Sequence, residues 1–334
     1  MSTSSQPSIT PPRLRLSGPH GRRWLLMVLA PLAILLAVSI ITFALMQTAQ
    51  GDAALLMLGE SATAESLAQL RAQMGLDQPV VMRYLNWLGH VVQGDLGTIH
   101  RSGEPVLAAL LHRLPVTVEL LIGAQCVALM LAIPAAVFGA YRERGGFDRV
   151  AQTAGTALIS TPSFLIGLLL VYVFALRTGW LPATGFTPLR ESLAGNLRSL
   201  LLPSLALGLA EFPTYLRLLR SELLQTLQQN FILTARAMGL PPWRILFQHA
   251  LRPSSLSLVT AVGINVGRLL GGAVIIEVLF GLPGIGSLLA ESIYQRELAA
   301  VQGVVLFVAA AFVLINLLVD AAYGWIDPRA RHRG

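Results

Sequence analysis

The side chains able to do chemistry are few and stand apart. His90, His100, His112 and His249 occur singly, with no His-Glu-x-x-His pair for zinc and no Gly-x-Ser-x-Gly turn for a serine nucleophile. Asp77 and Asp95 lack a second ligand at metal spacing, so solvated turns are the expectation for both. The single cysteine, Cys126, lies in an apolar run and excludes a disulfide framework or a cysteine zinc site within one chain. All 24 basic residues are arginine. Without lysine the chain can neither cradle nucleotide phosphates in a Walker loop nor form a Schiff base. What remains is a handful of polar groups within apolar stretches: Gln125, Asn265, Arg268, Glu119 and Glu211. Such groups can contact a polar solute but offer no constellation for transforming one.

The elements that must hold these groups are set by composition. The chain has 334 residues, 54% hydrophobic and 12% charged, with a mean hydropathy of +0.66. Soluble domains carry about 25% charged residues, so the expectation is an all-α integral membrane protein. A membrane helix needs about 20 mostly apolar residues. Six stretches qualify, at about 24–46, 115–141, 150–176, 200–219, 254–276 and 299–320. Glu119 and Glu211 fall near expected helix ends, where solvation or dipole pairing suffices. Arg268 falls inside a span. A central arginine costs at least about 2.5 kcal/mol, so it should face a watered passage or meet a carboxylate. Pro162 removes a backbone hydrogen bond within the third span and predicts a kink, with Phe164 beside it.

Arginine placement orients the spans. With the N-terminus in the cytoplasm, 15 arginines fall on the cytoplasmic side and eight outside, spread over longer loops. Both termini are therefore expected in the cytoplasm, with a Ser- and Pro-rich disordered tail at 1–23 and a short one at 327–334. The 23-residue apolar run exceeds the core of a cleaved signal and lacks a small-x-small site after it, so it reads as a span.

The same orientation puts 220–253 in the cytoplasm. Residues 221–238 read as a helix, Gly239 as its left-handed terminating residue, and Pro241 and Pro242 as the first turn of a second helix over 243–251, ended by Pro253. Trp243, Leu246, Phe247 and Ala250 recur at helical spacing and make an apolar stripe. Arg244, Gln248 and Arg252 fall on another face. A helix of this kind either lies on lipid or inserts its stripe into a partner's groove.

LTARAMG, nine residues, then HALRP resembles the cytoplasmic coupling motif of bacterial ABC-importer permeases, in particular the dipeptide, oligopeptide and nickel group. RAQMGLDQPVVMRYLNWLGHVVQGDLGTIHRSGEPV is similar to that group's first external segment, and FGLPGIGSLLAESIYQRELAAVQG to its last external loop. STPSF and GRLLGGAV also look familial, so the resemblance spans about 24–329. Leu233 and Thr234 stand where Glu and Ala are usual, Gln50-Gly51-Asp52-Ala53 where Pro-Gly-Asp-Pro is common, Pro253 where Asn is frequent, and Glu297 where Asp is common.

The resemblance implies a type I, methionine-importer-like permease core at 115–326. It also implies an extracytoplasmic segment at 47–114 and multi-pass insertion in the bacterial inner membrane. Implied partners are a second homologous permease, two cytoplasmic ATPase subunits, an extracytoplasmic solute-binding protein and membrane lipid, with no nucleic acid. ATP and Mg would be bound by the ATPase subunits, and this chain would carry no cofactor and no enzymatic activity. Ala235, Arg236, Ala237, Gly239, Trp243, Leu246, Phe247, His249, Ala250, Leu251 and Arg252 would then couple to the ATPase. Gln125, Pro162, Phe164, Asn265 and Arg268 are the candidates for the pathway, and the Pro283, Gly284, Ile285 and Gly286 turn is a candidate external gate or a connector. A helix capped by Thr63 is expected to dock the binding protein or to lie over the bundle as a lid. A proton-coupled transporter is the other class in view, disfavoured because the spans hold few mid-membrane carboxylates or histidines.

Overall fold

The computed structural model describes residues 19–48, 63–73 and 78–326. The protein is built from helices: α1 (Pro19–Thr48), α2 (Ala64–Gln73), α3 (Val80–Val92), α4 (Val106–Tyr141), α5 (Gly146–Ile159), α6 (Ser163–Leu170, continuing as a π-helical turn over Val171–Arg177), α7 (Leu193–Leu227), α8 (Asn230–Ala237), α9 (Pro242–Phe280), α10 (Ile285–Gln295) and α11 (Leu298–Ile326). Among the described residues, α4, α7, α9 and the Leu298–Val319 part of α11 are long and apolar enough to cross a membrane. The bent pair α5–α6 makes a fifth crossing if counted as one, and Leu29–Leu45 is a shorter apolar helix within α1.

The bundle is organised on α4 and α7. Ala124, Ala128, Ala132, Ala136 and Ala140 recur every four residues on α4 and are fully or almost fully buried. That row of small side chains lets α7 approach closely, so dispersion and polar contacts can act where no hydrophobic drive exists between helices in lipid. Gly208 marks a close crossing: a Cβ there would lie 2.7 Å from Val127 Cβ and 2.8 Å from the Ala124 carbonyl oxygen. Tyr215, Leu216, Leu219 and Leu223 line the facing stripe of α7 and are buried with Ile232 of α8 and Ile245 of α9. An outer cluster joins α4, α7 and α9 around Leu120, Leu202, Ile276 and Phe280.

Several boundaries depart from the sequence reading, each for a local reason. α1 begins at Pro19, a residue suited to the first helical position, so 19–23 are helical while 1–18 lie outside the described residues. Residues 221–227 belong to α7, and the break falls at Gln229, which is extended (φ −72°, ψ 149°). Pro253 does not end the second cytoplasmic helix. α9 runs through it for 39 residues, with a π turn at Ile245–Ala250 immediately before the proline. Proline has no N–H for the carbonyl four residues back and its ring crowds it; the wider turn, with the Leu251 amide bonded to the Leu246 carbonyl, absorbs both. The third span does more than kink: α5 and α6 meet at 105° around Ser160, Thr161 and Pro162.

Residues of the external segment settle onto the bundle. Thr63 caps α2, its hydroxyl accepting from the Ser66 amide (3.2 Å) while Ser66 Oγ accepts from the Thr63 amide (3.0 Å). Glu297, only 5% exposed, accepts from the backbone amides of His100 (3.0 Å) and Arg101 (3.1 Å). It thereby pins the loop before α4 to the turn before α11. Asp95 accepts from the Gly97 amide (2.9 Å) and faces His90 Nδ1 (3.2 Å). The Gly97 amide, and then His90, hold its carboxyl below the usual carboxylate range. The expected lone, solvated Asp95 thus has a histidine partner; Asp77 and the Gln50–Ala53 stretch lie outside the described residues.

Candidate functional site

At the corner between α8 and α9, α8 ends as the sequence requires. Gly239 has φ +77°, its amide bonds to the Arg236 carbonyl (3.0 Å), and the Leu240 amide bonds back to the Ala235 carbonyl (3.2 Å). That paired closure satisfies the last carbonyls of the helix and needs a residue at ease in the left-handed region. Pro241 is extended and Pro242 opens α9. The expected four-residue stripe divides. Leu246 and Ala250 turn inward and are buried beside Ile245, whereas Trp243 (55% exposed) and Phe247 (50%) face outward. Bonding from i to i+5 underwinds the helix, so residues three apart separate further around its axis than an α-helix would allow.

Only the outer half of the stripe, Trp243 and Phe247, remains exposed to lipid or to a partner. Phe231, Leu233 and Met238 of the preceding helix and its cap add to this exposed apolar surface and escaped the sequence reading. Arg236, Ala237 and Arg252 are exposed and Ala235 is buried; Leu251 and His249 are half-buried, with His249 Nδ1 3.2 Å from the Arg244 carbonyl oxygen. The Arg244 guanidinium lies 5.4 Å from the centre of the Trp243 ring, covering one edge of the patch. Behind the corner, Thr226 bonds to Ser254 (2.9 Å) and Ser257 donates to Glu222 (3.0 Å), bracing α7 against α9.

In the middle of the bundle, Arg268 donates through Nη2 to Glu211 Oε2 (2.8 Å) and Oε1 (3.2 Å). Glu211 is the nineteenth of 35 residues of α7 and 8% exposed, so it sits mid-helix and not near an end. Glu119 is likewise interior, the fourteenth of 36 residues of α4, and accepts from Asn196 Nδ2 (2.8 Å). One turn from Glu211, Tyr215 donates to Gln125 Oε1 (2.9 Å) and has Asn265 beside its hydroxyl. The structure therefore joins Gln125, Asn265 and Arg268 through Glu211 and Tyr215. A signal was present in sequence: Glu211 and Tyr215 are four apart on one helix, Asn265 and Arg268 three apart on another. Pro162 and Phe164 stand elsewhere, at the elbow between α5 and α6, with Phe164 41% exposed.

Toward the far end of α9, the Pro283 to Gly286 turn is packed against a carboxylate. Glu277 is fully buried; its Oε1 accepts from the Thr117 hydroxyl (2.7 Å) and its Oε2 from the Ser287 amide (3.0 Å), while Thr117 accepts from the Ile285 amide (2.9 Å). The first amides of α10, left without partners inside the helix, thus close on Glu277 and Thr117. Gly284 and Gly286 leave the room for this. A Cβ at Gly284 would collide with the Glu277 carboxylate, and one at Gly286 would lie 2.5 Å from Val274 Cα. Arg113 completes the surround, 3.0 Å from Glu291 and 3.4 Å from Ser287 Oγ. Sequence reasoning found the turn and missed the carboxylate beneath it.

Comparison with known proteins agrees with this architecture. The family model described as "Binding-protein-dependent transport system inner membrane component" matches residues 129–332, and that of the N-terminal part of such membrane components matches residues 22–121. A relative from Brucella abortus named for a peptide transport system permease is 38% identical over 90% of this chain and 95% of its own. The dipeptide transport system permease of Alkalihalophilus pseudofirmus is 31% identical over 93% of this chain and 98% of its own. In fold, the chain is similar to a chain of the MetNI methionine ABC transporter in its inward-facing conformations, with TM-score 0.55 and 17% identity over 66% of this chain and 96% of the other. The chain is an all-α integral membrane protein and belongs to the binding-protein-dependent transport system inner membrane component family, as an ABC-importer permease of its peptide group.

Proposed function

We propose that this chain is the membrane-spanning subunit of an ATP-driven importer, passing peptides or a related small solute from an extracytoplasmic binding protein into the cell by alternating access. It works with a second permease and two ATPase subunits that hold ATP and Mg, in the bacterial inner membrane with both termini in the cytoplasm. The observation that carries the reading is the corner at Gly239. It offers Trp243 and Phe247 outward on a helix continuous with the span that carries Arg268. A chain with no lysine for a phosphate loop must receive its energy through such a surface. The relatives' names support peptides as the cargo class. The Pro283 to Gly286 turn, locked on Glu277, serves as part of the outer closure.

The test is uptake of a labelled dipeptide by cells carrying the complete transporter. Uptake is expected to stop when ATP is depleted and to persist when the proton gradient is collapsed; the opposite pattern would establish proton coupling instead. Mass spectrometry of ligand retained by the co-purified binding protein then identifies the cargo.

The coupling role makes a separate prediction. A Cβ at Gly239 meets nothing within 4 Å, so Gly239→Leu has space and suffers only from its φ of +77°, a strain of about 1–2 kcal/mol. Insertion and thermal stability should stay close to wild type, while the second helix loses its fixed entry angle. Uptake and substrate-stimulated ATP hydrolysis are expected to fall several-fold, and wild-type rates for both would sink the assignment.

A further inference from the structure

The polar group between α4, α7 and α9 is unbalanced in a definite sense. Arg268 spends one guanidinium nitrogen on Glu211 and has no other hydrogen bond recorded, and its side chain is 61% exposed. Among the described residues Gln125 Nε2 is buried with no acceptor, and Asn265 Nδ2, equally buried, has only the Tyr215 hydroxyl beside it, outside good hydrogen-bond geometry. The fully buried side-chain atoms of this cluster that lack a good partner are both donors. Buried polar groups are ordinarily satisfied, so the missing partner is an acceptor.

Arg268 also lies on a continuous outward stripe of α9 formed with Ile264, Gly271, Ile275 and Val278, each exposed and spaced by three or four residues. Gly271 has open space around it, which leaves room beside the guanidinium for another group. The planar fork suits a carboxylate, which it can take through two parallel hydrogen bonds. Glu211 fixes the fork from behind, so little ordering is needed when the acceptor arrives.

Resting on the importer reading above, we propose that Arg268, positioned by Glu211, takes the free carboxylate of the solute during passage. The permease itself would then favour solutes with a free terminal carboxylate over the same solutes without one.

The test compares maximal uptake of Ala-Ala and of Ala-Ala amide, both saturating, by the complete transporter reconstituted in liposomes. Arg268→Met is expected to lower the acid-to-amide rate ratio about tenfold, the loss of one charged hydrogen-bond pair. Arg268→Lys, which keeps the charge and loses the fork, should recover part of it. Because Arg268→Met leaves Glu211 buried and unpaired, the double variant Glu211→Gln/Arg268→Met is measured as well and should show the same fall in ratio. Equal losses for acid and amide, or no loss, overturn the carboxylate assignment and leave the importer reading standing. A wild-type complex that moves neither compound overturns both.

Discussion

Glu277→Ala is expected to leave little folded protein. The carboxylate is fully buried and receives the Thr117 hydroxyl and the Ser287 amide, while Thr117 in turn holds the Ile285 amide. Truncation strands those donors and opens a void where Gly284 and Gly286 currently fit against it. Each buried donor left without its partner costs about 1–3 kcal/mol, and two are stranded here, together a large share of the stability of most domains. Thr117→Val removes a hydroxyl and keeps the shape, so about 1–3 kcal/mol is expected. Glu277→Gln, which keeps one acceptor, should fall between the two. Thermal melts of the purified variants in detergent give the order directly. A Glu277→Ala protein that melts with wild type would mean that the α10 amides find solvent or other partners, and that the lock is not structural.

The second large effect is expected at Asp148. Arg220 donates to it through Nε (2.6 Å) and Nη2 (2.7 Å), and the Arg144 amide adds a third bond (3.0 Å). Asp148 is 4% exposed and the Arg220 side chain 20%. Gly139 makes the approach feasible, since a Cβ there would lie 3.0 Å from Asp148 Oδ1. This pair joins the start of α5 to α7 where few apolar residues are available. Asp148→Ala strands a largely buried guanidinium and should cost about 3 kcal/mol. Asp148→Leu/Arg220→Met removes both charges, and such replacements are often neutral, so the double variant should recover most of the loss. If it melts as low as the single variant, the aspartate acts through its bond to Arg144 and the ion pair is incidental.

What the sequence made legible was whatever composition and short-range spacing encode. The apolar lengths mark out most of the membrane helices, and Gly239 followed by two prolines announces a turn whose dihedral the structure bears out. The misses are pairings between distant residues. Arg268 called for water or a carboxylate, and the structure supplies one, but the sequence did not say that it would be Glu211, 57 positions away; nothing near Glu277 points to Thr117, 160 positions away. Glu211 lies well inside a long helix and Glu277 in the last turn of another, and hydropathy registers both only as interruptions. Pro253 misled for a different reason. Propensity argues for a helix end at a proline, but a π turn accommodates it without one, and no residue pattern in 245–250 signals that turn.

That turn decides how much freedom the cytoplasmic corner has. From Pro242 to Phe280 the backbone is one helix of 39 residues, about 58 Å at 1.5 Å per residue, nearly twice the ~30 Å of hydrocarbon it crosses. Trp243 stands at one end and Glu277 near the other, with Arg268 between them. Beyond the π turn and Pro253 no further proline or π turn interrupts the helix up to Phe280, so a displacement at one end of that stretch is carried to the other. Under the proposed importer reading, the exclusion of simultaneous inner and outer opening would then need no separate signal between two gates.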